Sequence, residues 1–167
     1  FIAFLDSDDI WMTDKLHRQI GFMEANSIGF TYTKYKTISD SGKQTSKLVS
    51  PKSSFTFNEY LYMRGITTSS VVVRREFFSS NILAKIQYPA EDLRWWLLIL
   101  KDHRGYLAPI DGLRYRISQN SISSKNKIRN LMSVWKIYTN EHSIGILKAF
   151  ILIVLYILDV LWRRVKK

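Results

Sequence analysis

The sequence predicts an α/β fold, a sheet with helices between its strands, followed by apolar and basic helices. Three observations predict it. The chain opens on an apolar run, Phe1-Ile2-Ala3-Phe4-Leu5, that ends on Asp6, Asp8 and Asp9. A short apolar run bounded by polar residues is the pattern of a strand buried on both faces, as in a parallel sheet. Strand and helix signals then alternate as far as residue 117, and beyond them residues 125–167 carry only helical patterns. A length of 167 residues with 46% hydrophobic content suits one domain with a real core. Because the apolar strand begins at Phe1 rather than after a Met, the chain reads as a piece of a longer protein.

The elements follow in order. Thr13 or Asp14 can cap a helix over residues 15–26, with Leu16, Ile20 and Met23 as its buried face. Residues 29–38 are β-branched and aromatic and form a strand. Asp40-Ser41-Gly42-Lys43 is a turn, with a hairpin partner near residues 47–49 and a loop over 51–54. Thr56 and Glu59 have capping-box spacing and start a short helix reaching Met63. Residues 66–74 are a strand centred on Val71-Val72-Val73, and residues 75–80 a helical turn or two. No pattern decides residues 81–88. Pro89, Glu91 and Asp92 start an apolar helix over 93–100. Two strands, 106–107 and 112–117, precede a loop over 118–124. Residues 125–140 are a basic amphipathic helix with Ile128, Leu131, Met132, Trp135 and Tyr138 on its apolar side. Residues 144–162 are apolar except for Lys148 and Asp159, borderline for a membrane span, which needs about 20 apolar residues.

Charge and composition narrow the function classes. The net charge of +11 is unevenly placed: residues 1–112 hold 14 Lys and Arg against 12 Asp and Glu, and residues 113–167 hold 11 against 2. A nucleic-acid binder would spread positive charge over its folded body, so no nucleic acid is expected as partner. A basic tail beside apolar helices points instead to peripheral contact with an anionic membrane. The chain has no Cys, which excludes disulfides, thiolate zinc sites and a cysteine nucleophile. The organisation divides at residues 1–122, a sheet-bearing body, and 123–167, a helical segment for membrane association.

Two acidic groups are the candidate site. Asp6, Asp8 and Asp9 follow a strand, at the edge where open α/β sheets bind ligands. Carboxylates this close repel one another unless a cation sits among them, and hard oxygen ligands suit Mg²⁺ or Mn²⁺. A polar turn with an Asp capping the next helix fits the same residues. Glu91 and Asp92 open a helix, where acids commonly serve as dipole partners. If that helix starts beside the first group, one group can hold a metal and phosphates while the other takes a proton.

The run Phe-Leu-Asp-Ser-Asp-Asp-Ile-Trp with the following Asp-Lys-Leu resembles the Asp-x-Asp segment of family 2 glycosyltransferases of the GT-A, Rossmann-like fold. Ala-Glu-Asp-Leu-Arg-Trp-Trp-Leu resembles their Glu-Asp motif, and Thr-Thr-Ser-Ser-Val-Val-Val-Arg-Arg and Leu-Arg-Tyr-Arg-Ile-Ser-Gln-Asn-Ser-Ile-Ser-Ser resemble later parts of bacterial surface-polysaccharide members. The resemblance covers residues 1–130 with the motifs in order, and the family's nucleotide-binding first half is not in this sequence. It implies an inverting transfer from a nucleotide-diphosphate sugar donor to a hydroxyl of a glycan or lipid-linked acceptor at the cytoplasmic face of a bacterial inner membrane. It further implies Asp8 as ligand of a divalent cation (Mn²⁺ or Mg²⁺), Asp6 at the donor ribose or supporting the metal, and Asp9 behind them. Asp92 would be the general base, Glu91 would orient the acceptor, Trp95 would line the acceptor pocket and Arg116 would face the diphosphate. His17, His103 and His142 match no family metal ligand, and the Gln-x-x-Arg-Trp pattern of processive synthases is missing, which implies addition of single sugars. Two other readings compete. A metal-dependent nucleotidyltransferase or phosphohydrolase would use the first acidic group and give Glu91 and Asp92 no task. A non-catalytic basic membrane-surface module would need none of the carboxylates.

Overall fold

The computed structural model describes residues 1–78, 90–118 and 127–165. The undecided stretch 81–88, Pro89, most of the 118–124 loop and the division at 122/123 lie outside these residues. Six strands form one mixed sheet: β1 (Ile2–Ala3), β2 (Ile10–Trp11), β3 (Phe30–Ile38), β4 (Ser54–Phe55), β5 (Val72–Val73) and β6 (Gly105–Arg116). The order is β1-β5-β3-β6-β2, with β4 on the same flank of β6 as β2. Among the described residues only β3 and β6 pair in parallel; β1 and β3 both run antiparallel to β5. The expected fully buried parallel first strand is therefore corrected. β1 is a two-residue antiparallel edge strand among the described residues, and Phe1 and Leu5 are each 48% exposed.

β6 replaces the two strands expected there. Pro109 and Gly112, which divide it in the sequence, sit where the β3/β6 register shifts, and a bulge accommodates a proline that cannot donate to the ladder. Gly112 is required because a Cβ there would lie 2.8 Å from Thr33 Oγ1. The strand expected over 66–74 shortens to β5. The hydroxyl-rich residues before it close a 3₁₀ turn, Thr68–Ser70, through Ser70 N–H and Ser70 Oγ–H, which both donate to Thr67 O. The hairpin partner of β3 is reduced to two bridges, Tyr35 to Val49 and Ile38 to Gln44.

Among the described residues, five helices accompany the sheet: α1 (Lys15–Ala25), α2 (Phe57–Tyr62), α3 (Glu91–Asp102), α4 (Lys127–Lys136) and α5 (Ile146–Val165). The α2 capping box is complete, with both the Thr56 and Glu59 side chains bonded across it. Two helix faces differ from expectation. α1 buries Lys15, Gln19 and Met23 and leaves Leu16 37% exposed. Gln19 is tolerated inside because its amide donates to Thr31 Oγ1 and Ser70 O, both at 3.0 Å. In α4, Ile128 and Met132 are 76% and 57% exposed, while Ser133 and Val134 are buried and Leu131 and Trp135 are half-buried. A π turn, Ile137–Glu141, continues α4 and brings Ile137 and Tyr138 inward.

The core is aromatic where α3 crosses the sheet. Trp96 is fully buried, 5.3 Å from Phe4 and 5.5 Å from Phe30 between ring centroids. Phe4 anchors the end of β1 to α3. That packing brings the start of α3 alongside the acidic turn.

Candidate active site

The acidic turn is tied down from three directions. Asp9 N–H donates to Asp6 O at 3.1 Å, which closes the turn. Asp6 N–H donates to Ser69 Oγ at 3.0 Å, and Trp11 Nε1–H to Ser69 O at 2.7 Å. The Arg116 N–H donates to Asp9 Oδ1 at 2.7 Å. The Arg116 guanidinium donates to the carbonyls of Asp8, Ser39 and Asp40 at 2.7, 2.6 and 2.9 Å. Arg116 thus clamps the acidic turn to the loop after β3, using the fork geometry that Lys lacks.

The three carboxylates differ in setting. Asp6 and Asp8 are exposed, and Asp9 is 8% exposed, its Oδ2 without a hydrogen-bond partner among the described residues. Burial raises the Asp6 carboxyl above its ordinary range, the Ser69 hydroxyl opposes, and the Asp8 and Asp92 charges raise it further. Burial also raises Asp9, against the Ser69 hydroxyl and the Arg116 N–H, with Asp8 and Asp6 adding to the rise. Tyr115 stands in the same field: burial pushes its phenol up, and Asp9, Tyr35, Asp6 and Asp8 push it further.

The second group opens α3. Ala90 precedes it with φ of +76°, a left-handed conformation that costs a non-glycine residue about 1–2 kcal/mol. Asp92 is half-buried; its Oδ1 accepts from Leu93 N–H at 2.8 Å and its Oδ2 from Thr68 Oγ1–H at 3.2 Å. Glu91 is exposed beside it. Trp95 is half-buried in the aromatic cluster, 5.7 Å from Phe4 and 5.8 Å from Phe78. The structure therefore brings Asp6, Asp8, Asp9 and Arg116 together and sets Asp92 within electrostatic reach of Asp6. Thr68, Ser69 and Tyr115 complete the site and were not among the residues expected from the sequence. The signal for Thr68 and Ser69 is the hydroxyl run at 67–70, out of place in a buried strand.

Among the described residues, no three Asp, Glu or His side chains converge to hold a metal ion by themselves. The donors present are hard oxygens of the exposed Asp6 and Asp8 carboxylates.

Proteins similar to this chain were found over most of its length. WfgD of Escherichia coli, a UDP-Glc:alpha-D-GlcNAc-diphosphoundecaprenol beta-1,3-glucosyltransferase, is 38% identical over 82% of the chain and 53% of its own length. TuaG of Bacillus subtilis, assigned to teichuronic acid biosynthesis as a glycosyltransferase, is 32% identical over 89% of the chain and 59% of its own length. Over most of its length the chain is thus similar to glycosyltransferases of bacterial surface-polysaccharide synthesis. WfaP of Escherichia coli, which carries the same activity in its name as WfgD, is 31% identical over 79% of the chain and 51% of its own length. Scanned against models of protein families, the chain matches none. The chain spans between half and three-fifths of the length of these relatives. Its mixed α/β sheet fits a GT-A-like fold, and the family fits family 2.

Proposed function

We propose that the protein transfers a sugar from a nucleotide-diphosphate donor to an acceptor hydroxyl, with inversion at the anomeric carbon, during assembly of a bacterial surface polysaccharide. The observation that carries this is the meeting of two acidic sites on one turn: Thr68 Oγ1–H donates to Asp92 Oδ2 at 3.2 Å, and the next residue, Ser69, accepts the Asp6 N–H at 3.0 Å. A phosphohydrolase or nucleotidyltransferase would leave Asp92 idle. Asp92 is the general base, its carboxylate half-buried and oriented by Thr68 and Leu93. Glu91, exposed at the same helix start, orients the acceptor, and the half-buried Trp95 borders it.

Asp8 is the proposed ligand of a divalent cation, Mn²⁺ or Mg²⁺, with Asp6 on the nucleotide side. The fit rests on the donor chemistry: the exposed carboxylates of Asp6 and Asp8 offer hard oxygen donors on one turn. Such a cation, when bound with a diphosphate, stabilises the charge that develops on the leaving group. Arg116 holds the backbone of the acidic turn and so sets where the diphosphate is received.

The relatives' names support a uridine-nucleotide glucose donor and an acceptor sugar on a lipid diphosphate. A lipid-linked acceptor favours peripheral attachment to the cytoplasmic face of the membrane. Among the described residues, no helix is long and apolar enough to cross a membrane. Instead α5 carries an exposed apolar stripe, Ile146, Leu147, Phe150, Ile151, Val154 and Leu155, opposite its buried Ala149, Leu152 and Ile153. Exposed Lys148 borders the stripe, within a segment rich in Lys and Arg. An apolar face flanked by cations suits an anionic lipid surface.

The test is a screen of the complete gene product against nucleotide sugars, with Mn²⁺ or Mg²⁺ and a diphosphate-lipid GlcNAc acceptor. Cation-dependent formation of a disaccharide-lipid is the expected result. Hydrolysis of nucleotide sugars that never depends on acceptor, with no transfer to any sugar hydroxyl, would overturn the proposal.

A further inference from the structure

One element touches both acidic sites: the 3₁₀ turn Thr68–Ser70. Its first hydroxyl, Thr68 Oγ1–H, donates to Asp92 Oδ2 at 3.2 Å. Its second, Ser69 Oγ, accepts the Asp6 N–H at 3.0 Å and lies against the Asp6 and Asp9 carboxylates. The turn is fixed from behind. Trp11 Nε1–H donates to Ser69 O at 2.7 Å, Gln19 Nε2–H to Ser70 O at 3.0 Å, and Ser70 Oγ–H to Thr67 O at 2.6 Å. Ser69 and Ser70 are 0% and 1% exposed, so neither bond is set up for solvent.

We infer that Thr68 and Ser69 are the positioning residues that set the two halves of the reaction in register. Thr68 aims the base, and Ser69 places the acidic turn that receives the donor. The inference rests on the proposed transfer reaction. Its physical basis is the carboxylate's limited set of acceptor positions. A carboxylate has about four lone-pair sites. Leu93 N–H and Thr68 Oγ1–H occupy one site on each Asp92 oxygen and fix the plane of the group, which directs the remaining sites toward the acceptor. Without the Thr68 hydroxyl, Oδ2 loses its fixed partner and the plane can turn. A misplacement of about 1 Å can cost about 10²-fold in rate. Ser69 acts elsewhere: without its oxygen, the Asp6 N–H loses its acceptor and the turn bearing Asp6 and Asp8 loosens. Because both hydroxyls lie on one rigid turn, a shift of the turn would move base and donor site together.

The two roles predict a split in the kinetics. In the complete gene product assayed for sugar transfer, Thr68→Val should lower kcat at least 10-fold with the donor KM within about 2-fold of wild type. Thr68→Ser, which keeps the hydroxyl, should restore most of kcat. Ser69→Ala should raise the donor KM at least 5-fold and the concentration of Mn²⁺ needed for half-maximal rate with it, with a smaller change in kcat. Thermal melting of each variant identifies any that does not fold, and Thr68→Ala stands in for Thr68→Val in that case. Equal kcat for wild type, Thr68→Val and Thr68→Ala overturns the inference, as does equal loss of kcat and rise of KM in both the Thr68 and Ser69 variants. A wild-type protein with no transfer activity overturns the proposed function and this inference with it. An active wild type indifferent to Thr68 overturns the inference alone.

Discussion

Lys15 is the least expected residue in the core, and replacing it makes a sharp test of the packing beneath the site. Its side chain is 1% exposed, Nζ has no hydrogen-bond partner among the described residues, and the ammonium lies 4.4 Å from the Trp11 ring centroid. Burial pushes its pKa down from 10.5 to about 8. At about 1.36 kcal/mol per pH unit, that fall corresponds to about 3 kcal/mol of stability withheld while the lysine is charged. The Trp11 ring returns about 0.5–2 kcal/mol through its attraction for the cation. Lys15→Met keeps the stem's packing and removes the charge, so it should stabilise the protein at pH 7 by about 1–3 kcal/mol. The sign with pH follows from linkage. Between about 8 and 10.5 the unfolded chain holds the proton that the folded lysine has released, so wild-type stability rises with pH in that window. The variant lacks this rise. Burial raises the phenols of Tyr60 and Tyr115, which opposes the trend in both proteins, so the difference between the two curves isolates Lys15. Urea unfolding of both proteins from pH 6 to 10 measures it. A variant no more stable than wild type at pH 7, with a parallel curve, would show that Nζ is solvated or paired and would refute the reasoning.

Three further outcomes follow from the same contacts. Gly112→Ala places a Cβ 2.8 Å from Thr33 Oγ1 across the β3/β6 pair and should cost about 1–3 kcal/mol in chemical denaturation. Arg116→Lys cannot hold the carbonyls of Asp8, Ser39 and Asp40 together, so donor KM should rise several-fold in steady-state kinetics; an unchanged KM would separate Arg116 from donor binding. Leu147→Glu with Ile151→Glu alters residues 74% and 49% exposed; folding should persist by circular dichroism while sedimentation with phosphatidylglycerol vesicles falls at least 10-fold.

Local chemistry was legible in the sequence wherever one side chain decides the outcome. Thr56 and Glu59 cap α2 as their spacing requires, Gly42 turns the chain after β3 with φ of +81°, and the acids at residues 91–92 open α3. The convergence of the two acidic groups was also legible, through the resemblance of their flanking motifs. What escaped depended on partners distant in the chain. Gln19 is buried only because Thr31 and Ser70 accept its amide, so a pattern of apolar residues placed the α1 face on Leu16 instead. The hydroxyls of Thr68, Ser69 and Ser70 bond Asp92, the Asp6 N–H and the Thr67 carbonyl in a turn, which no strand propensity anticipates, and this hid Thr68 and Ser69. Two strands were expected over 106–107 and 112–117, but a bulge at Pro109 lets one strand run through. Arg116 was expected to face a diphosphate; its Nε and Nη1 donate to three backbone carbonyls, contacts that its sequence neighbours could not reveal.

The central claim is that two acidic sites divide the work, with Asp8 receiving the donor and Asp92 accepting the proton. The most direct measurement compares Asp92→Asn and Asp8→Ala in the complete gene product, with transfer rate and donor affinity taken on the same samples. The account predicts that Asp92→Asn binds the nucleotide sugar within about 3-fold of wild type but transfers at least about 10²-fold more slowly, the scale of a lost general base. Asp8→Ala should lose cation-dependent donor binding. Transfer by Asp92→Asn at the wild-type rate would contradict the account.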